Sequence, residues 1–394
     1  MASAWRIAVA GGSLGGLSAA LVLRDLGADV TVYERSPAEL QQRGAGIGFL
    51  PASSRYLVER AGLDLDSIST RTARIRYLAR DGDVVHDEAH TYRFSSWNTV
   101  YRQLLQCFGR DRYELGGEVT GFEVVEDEVQ VALAGGRATT ADLLVCAEGI
   151  GSATRRRLLP DVAPAYAGYV AWRGMVPERS LPAATAAALG DAITYYVYAN
   201  SHILVYPIPG ADGSVVAGER LVNFVWYRNY LVGGDLDHVL VGSDGVRREL
   251  SLPPGAARAD QVDELRSTAA NRLPAVIADV VVGTEQPFVQ VIFDVDVPRM
   301  AFDRVCLIGD AAFVARPHAA AGTAKAAADA WSLAEALDAA PDVPSALRAW
   351  EPGQLALGRN LLERTRRIGA RSQVEGSWRP GDPELIFGLT EPGR

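Results

Sequence analysis

IAVAGGSLGGLSAALVLRDLGADVTVYE, residues 7–34, decides the fold. Its first four residues, 7–10, are apolar and read as a short buried strand. Gly11-Gly12-Ser13-Leu14-Gly15-Gly16 reads as a turn. Segment 17–26 places Leu17, Ala20, Leu21 and Val22 at helical spacing, and Gly27 stands where a helix terminus favours a residue free to adopt positive φ. A second strand, 30–33, runs into Glu34. Strand, glycine turn, helix and strand form a βαβ unit.

The turn carries the chemistry. Gly11 permits the sharp exit from the strand, Gly15 belongs to the same turn, and Gly16 permits close packing of helix on strand. Ser13 occupies the middle position, where glycine usually lets a pyrophosphate approach. Serine is small enough for amides at the helix start to receive phosphates. Glu34 follows Gly11 by 23 residues, the spacing at which a carboxylate accepts hydrogen bonds from ribose hydroxyls. Arg35, next to it, is assigned to the same site. The acid favours an adenosine without a 2′-phosphate, hence FAD or NAD rather than NADP here.

Further along, a second glycine-rich segment spans 43–48. A strand-like run at 142–146 precedes Ala147-Glu148-Gly149, and another at 305–308 precedes Gly309-Asp310. Between them lie aromatic, β-rich runs at 166–175, 193–198, 202–208, 222–227 and 288–293, separated by Gly, Pro and Asp turns. The expected fold is α/β: a Rossmann-like dinucleotide-binding domain with an inserted antiparallel β-sheet substrate domain and C-terminal helices. The expected boundaries are 1–72, 96–165 and 285–340 for the first, 73–95 and 166–284 for the second, and 341–394 for a C-terminal helix and tail. Helix is expected from Ala319 to Leu337 and again over 345–370, interrupted near Pro352. The tail 372–394 reads as an irregular arm.

Bulk properties narrow the partners. The net charge of −9 argues against nucleic acid, which demands a basic face. No apolar run of about 18 residues predicts a membrane span, and the N-terminus lacks a signal-peptide pattern. Cys107, Cys146 and Cys306 have no metal or disulfide spacing. A cytoplasmic protein with structural thiols is the expectation, and a homodimer is compatible with it.

The segments DVTVYERSP, YAGYVAWRG, HILVYPIPG and IGDAAFVARPHAAAGTAKA resemble the single-component flavoprotein aromatic hydroxylases of the p-hydroxybenzoate hydroxylase type, over nearly the whole chain. The resemblance implies bound, non-covalent FAD, with NADH or NADPH as transient co-substrate. It implies that Glu34 meets the adenosine ribose and Arg43 the FAD pyrophosphate and ribityl. It places Arg102 on a helix facing the flavin, Asp310 after Gly309 at the ribityl or ribose, and Pro317 beside the isoalloxazine. Gly322 and Thr323, at a helix start, correspond to the segment facing flavin N1 and O2, where a helix N-terminus stabilises negative charge. Two positions depart from the pattern. Ser13 replaces the middle glycine, and Glu148-Gly149 replaces Asp-Gly in the segment that serves both FAD and NAD(P)H.

No side chain hydroxylates an aromatic carbon with O2, so the flavin must. The resemblance implies a flavin C4a-hydroperoxide attacked by an electron-rich, phenol-like or hydroxypyridine-like ring. The protein then excludes water, holds the ring and favours its deprotonated hydroxyl. His202 and Tyr206 share one face of a strand. The functional reading makes His202 the proton acceptor or relay and Tyr206 the group orienting the ring; the structural reading makes His202 a satisfied strand-end histidine. His318, next to Pro317, is the candidate hydrogen-bond partner of substrate or peroxide. Arg173 reads as a surface strand residue or as cavity wall. No metal site is expected. The alternatives are a flavoprotein of the same fold performing epoxidation, ketone oxygenation or reduction, and a non-catalytic flavin-binding regulator.

Overall fold

The structure, a computed structural model, describes residues 5–40 and 45–394. Strand β1 (Arg6–Ala10), helix α1 (Leu14–Asp25) and strand β2 (Asp29–Glu34) form the expected βαβ unit. β1 pairs in parallel with β2 on one side and with the strand Leu143–Cys146 on the other, which pairs in parallel with Val305–Leu307. Tyr113–Leu115 and Ala301–Phe302 complete this six-stranded sheet. Its central strands, residues 7–10, Leu143–Cys146 and Val305–Leu307, are apolar and buried because both faces are covered, as parallel strands require. Three strands therefore end on the same edge, and their exits are the Gly11 turn, Ala147-Glu148-Gly149 and Gly309-Asp310. Doubly wound sheets bind ligands at that edge.

A nine-stranded, mostly antiparallel sheet holds all five runs expected between the second and third of those exits. It also takes in Gly46–Gly48, Thr70–Leu78 and Val84–Ser96. Gly46–Gly48 and Phe288–Asp294 thus pair in this sheet, although the sequence reading groups them with the nucleotide-binding spans. Along Ser201–Ile208, Ile203 and Val205 enter a core with the helices Ala259–Arg272 and Ala275–Gly283. Leu204 and Tyr206 join the aromatic cluster of the opposite face. A third sheet, of three strands within 119–141, has no counterpart in the sequence reading.

Helix Val343–Ala370 runs unbroken through Pro352, contrary to expectation. An interior proline costs about 3 kcal/mol. Here Leu347 and Trp350 before it and Leu362 after it are all seated in the main core, which offsets that cost. The arm beyond it is irregular as expected, and its Trp378, Leu385 and Phe387 pack on the aromatic face of the large sheet. Among the described residues no helix is long and apolar enough to cross a membrane, and no group of three or more His, Cys, Asp or Glu is placed to hold a metal.

Candidate active site

The glycine turn leaves no room for side chains where it touches the protein. A Cβ at Gly11, which has φ +101°, would lie 2.4 Å from the Ala147 carbonyl oxygen, and one at Gly16 would lie 1.8 Å from that of Gly11. Gly12, which the sequence reading left unassigned, is equally constrained: a Cβ would sit 2.3 Å from the Tyr113 hydroxyl. That hydroxyl donates to the Gly12 carbonyl at 2.8 Å. Gly15 faces the helix Gly322–Ala339 across Ala326. Ser13 is the N-cap of α1, but its hydroxyl does not cap, and no acidic side chain lies in the first turn. The first amides of α1 thus keep their affinity for an anion. Glu34 is buried and accepts from the amides of Gly12 and Ser36, both at 2.8 Å. Its carboxylate is therefore fastened to the turn it was expected to serve. Arg35 is exposed. Arg43 lies outside the described residues. Arg102 is exposed on helix Trp97–Phe108, its Nη2 reaching toward the turn at Gly213.

Asp310 is accessible to solvent, yet crowding by protein pushes its carboxyl up against the opposing pull of Lys325 and Arg155. Accessible and hemmed in together describe a residue lining a concave cleft. Gly309, at φ +56°, donates its amide to Asp329 at 2.8 Å. The same Asp329 oxygen pairs with Lys325 at 2.7 Å, and both side chains are buried. Arg155, missed in the sequence, is also buried and donates to the carbonyls of Ile150, Asp310 and Ala311. Glu148 accepts from the Ser152 hydroxyl at 2.6 Å and the Thr154 amide at 3.1 Å. It thereby fixes the start of the short helix that carries Arg155. Glu148 and Asp310 are thus parts of one braced edge, and the only sequence hint was an arginine run after Ser152.

Opposite this edge begins the 18-residue helix Gly322–Ala339, with no side-chain cap and no acidic residue in its first turn. Gly322 is exposed, and a Cβ there would meet nothing within 4 Å. Thr323 shares a 3.0 Å hydroxyl contact with Ser53. Pro317 opens the short turn Pro317–Ala319, and Ala320 after it is held at φ +53°. A Cβ on Gly48 would come within 2.5 Å of the Ala320 Cβ. Gly46 is pinned to the large sheet: its amide donates to Asn223 at 3.0 Å, and its carbonyl accepts from Arg173 at 2.7 Å and Tyr206 at 3.1 Å. Arg173 is therefore part of the interior face, not a surface residue.

His202 and His318 meet on that face, with ring centroids 5.4 Å apart. The His202 ring also lies 4.5 Å from Tyr227 and 4.7 Å from Trp378 of the arm. His318 shares a 2.7 Å hydrogen bond with the Tyr169 hydroxyl, and its Nδ1 is buried without a partner. Burial pushes His202 down to about 3 and, with His202 and Arg316 nearby, pushes His318 well below its ordinary value. Burial likewise raises the Tyr206 and Tyr227 phenols. The alternation of the strand places His202 and Tyr206 as expected, and burial weakens His202 as a proton acceptor.

A dinucleotide cradle on a parallel sheet, facing a buried aromatic face on a second sheet, defines a flavin-dependent oxygenase of aromatic rings, and the chain belongs to the FAD-dependent aromatic hydroxylases. A family model described as FAD binding domain-like matches residues 166–294. The chain is 38% identical to the 2,6-dihydroxypyridine 3-monooxygenase of Paenarthrobacter nicotinovorans, over 98% of this chain and 96% of that protein. It is 30% identical to the 3-amino-4-hydroxybenzoate 2-monooxygenase of Streptomyces cremeus, over 92% and 86% respectively. The solved structure of 2,6-dihydroxypyridine-3-hydroxylase from Arthrobacter nicotinovorans matches with a TM-score of 0.93 at 37% identity, covering 100% of this chain and 98% of that one. The protein is an enzyme, an FAD-dependent monooxygenase that hydroxylates a small aromatic substrate with NAD(P)H and O2.

Proposed function

We propose that the substrate is a hydroxypyridine-like ring, held on the aromatic face between His202 and Tyr206 and beside Pro317. The observation that carries this reading is the pair of buried imidazoles on a face otherwise built of phenols and apolar rings. Such a face suits a flat heteroaromatic ring whose oxygens and ring nitrogen seek hydrogen bonds. The first relative's activity on 2,6-dihydroxypyridine supports the same class.

The cradle fits FAD on its own features. The turn at Gly11, Gly12 and Gly16 has no space for side chains, two helix starts are uncapped, and Asp310 lines a cleft between them. In this reading the amides after Ser13 and around Gly15 receive the pyrophosphate. Glu34 takes the adenosine ribose, with Arg35 beside it, Arg43 serves the pyrophosphate and ribityl, and Asp310 takes the ribityl chain. Bound FAD supplies the transfer of electrons from NAD(P)H and the activation of O2. The uncapped amides at Gly322 and Thr323 favour negative charge on whatever ring system docks there. Arg102 faces the flavin from its helix, and Glu148 belongs to the segment that serves both FAD and NAD(P)H.

The aromatic face then has three tasks. Trp378, Phe387 and Phe94 exclude water. Tyr206 orients the substrate while its hydroxyl stays tied to Gly46. His202 and His318 hydrogen-bond the ring substituents, so that an ionised hydroxyl is stabilised without moving its proton onto imidazole. The test is NAD(P)H oxidation by the holoenzyme with hydroxypyridines and hydroxybenzoates, and product mass measured. Stimulation by hydroxypyridines with a gain of one oxygen is expected. Stimulation confined to carboxylated benzenes would overturn the substrate class.

A further inference from the structure

Where helix Val343–Ala370 ends, the chain makes one π-helical turn, Arg371–Glu375. Such turns carry one more residue than an α-turn and occur often at functional sites. Here the turn buries Ser372 and Gln373 against the large sheet and leaves Val374 at 76% exposure. Its backbone is fastened by Asn229, whose side-chain amide donates to the Gln373 carbonyl at 2.8 Å. The Gln373 side chain reaches His202: Nε2 lies 3.2 Å from His202 Nδ1 and 3.1 Å from the Ser372 hydroxyl. Nothing in the sequence links residues 202 and 373.

The orientation of the Gln373 amide follows from counting bonds. With Nε2 toward the sheet it donates to both His202 Nδ1 and Ser372 Oγ, and the Ser372 hydroxyl stays free to donate to the Gly369 carbonyl at 3.4 Å. Either orientation buries one end of the amide without a partner, Oε1 as it stands and the NH2 group if reversed, but reversal would also draw the Ser372 hydroxyl away from Gly369. Three bonds outweigh two, and an amide that donates to Nδ1 requires Nδ1 to be unprotonated. A neutral imidazole then carries its proton on Nε2.

We propose that Gln373 is a positioning residue that fixes His202 as an Nε2–H hydrogen-bond donor, and that this donor recognises a ring oxygen of the substrate in its ionised form. The proposal rests on the reading that the substrate lies on this aromatic face. The groups packed on His202 shield it from water. They are Tyr227 from the neighbouring strand, His318 with Tyr169 behind it from the Pro317 turn, and Trp378 and Gln373 from the arm. Arg316 lies beyond Tyr169, where Asp294 pairs with it at 2.8 Å. Burial alone displaces His202 downward. A donor of this kind stabilises an oxygen anion and discriminates against a ring that offers only a hydrogen there.

The test uses the FAD-loaded enzyme with nitrogen-15 histidine and the variants Gln373→Glu and Gln373→Met. His202→Gln assigns the resonance. Wild type is expected to show His202 as the Nε2–H tautomer with no titration between about pH 5 and 8, the interval in which an ordinary histidine titrates. Gln373→Glu places an acceptor at Nδ1 and is expected to move the proton there, to make His202 titrate at higher pH, and to raise KM for a dihydroxypyridine at least tenfold. Gln373→Met is expected to give mixed tautomers and a smaller rise in KM, with FAD affinity unchanged in both. Finding Nδ1–H in wild type, or an unchanged tautomer in Gln373→Glu, would overturn the proposal. Unchanged KM in both Gln373 variants would also overturn it, with Tyr206→Phe and His318→Ala as controls. If those controls raise KM, the substrate reading survives and only the role of Gln373 fails. If they do not, the substrate lies elsewhere.

Discussion

Gly369→Ala is a sharp probe of the aromatic face, because helix propensity and packing predict opposite signs. Gly369 lies inside helix Val343–Ala370, where alanine is favoured over glycine by about 1 kcal/mol. A Cβ there would sit 2.6 Å from the Tyr169 hydroxyl, 2.8 Å from His318 Nε2 and 3.0 Å from its Cδ2. Comfortable contact needs about 3.5 Å or more, so two rings must retreat by close to 1 Å. Overpacking of that kind costs about 1–3 kcal/mol. Separating the buried Tyr169–His318 hydrogen bond leaves unsatisfied groups and adds about 1–3 kcal/mol. After subtracting the propensity gain, the net destabilisation is roughly 1–5 kcal/mol. Denaturant unfolding of the holoenzyme should show a lower midpoint, with KM for the aromatic substrate raised and FAD affinity preserved. A Gly369→Ala protein as stable as wild type with an unchanged KM would refute the claim that this glycine exists to admit the Tyr169–His318 contact.

Glu34→Lys removes the acceptor of the Gly12 amide and puts a cation beside the turn, so FAD affinity should fall by about 1.5–3 kcal/mol or more, read by flavin fluorescence titration. Glu178 is buried against Arg220; burial pushes its carboxyl up, but hydrogen bonds from Arg220 and the Gly218 amide outweigh this and leave it below its ordinary value. Its stabilisation is thus present above the unfolded carboxyl pKa of about 4.3 and lost as pH falls through the lower folded value. Glu178→Gln should cost about 3–5 kcal/mol at pH 7 and progressively less below about pH 4, in unfolding measured across pH. Lys325→Met should destabilise by a similar ~3–5 kcal/mol by stranding Asp329, and adding Asp329→Asn should recover much of it. His202 and His318 are depressed on folding, so stability should fall as pH drops below about 6.5, and less steeply in His202→Gln.

The nucleotide half was legible because its signals are local. Gly16 is dictated by a contact within one βαβ unit, Gly11 by its own positive φ at the exit of the strand, and the distance to Glu34 follows from the length of one helix and strand. The face shared by His202 and Tyr206 was legible for the same reason, since strand alternation is a local rule. What stayed hidden depends on distant segments. Arg155 matters because its helix packs under residues 309–311, and Gln373 because a π-turn delivers it to a strand 171 residues away. The surroundings of His202 stayed hidden for a related reason: they are set by Tyr227, His318 and Trp378, which come from three other elements. The persistence of the helix through Pro352 is likewise tertiary, owed to core contacts on both sides of it.

The central claim, that this chain inserts one atom of O2 into a small oxygen-bearing aromatic ring, is tested most directly by isotope. The FAD-loaded enzyme should be given NAD(P)H, a dihydroxypyridine and isotopically labelled O2, and the product mass determined beside a control with labelled water. The account predicts substrate-stimulated NAD(P)H oxidation and a product carrying one labelled oxygen from O2. Label arriving only from water, or NAD(P)H oxidation indifferent to every aromatic ring offered, would contradict it.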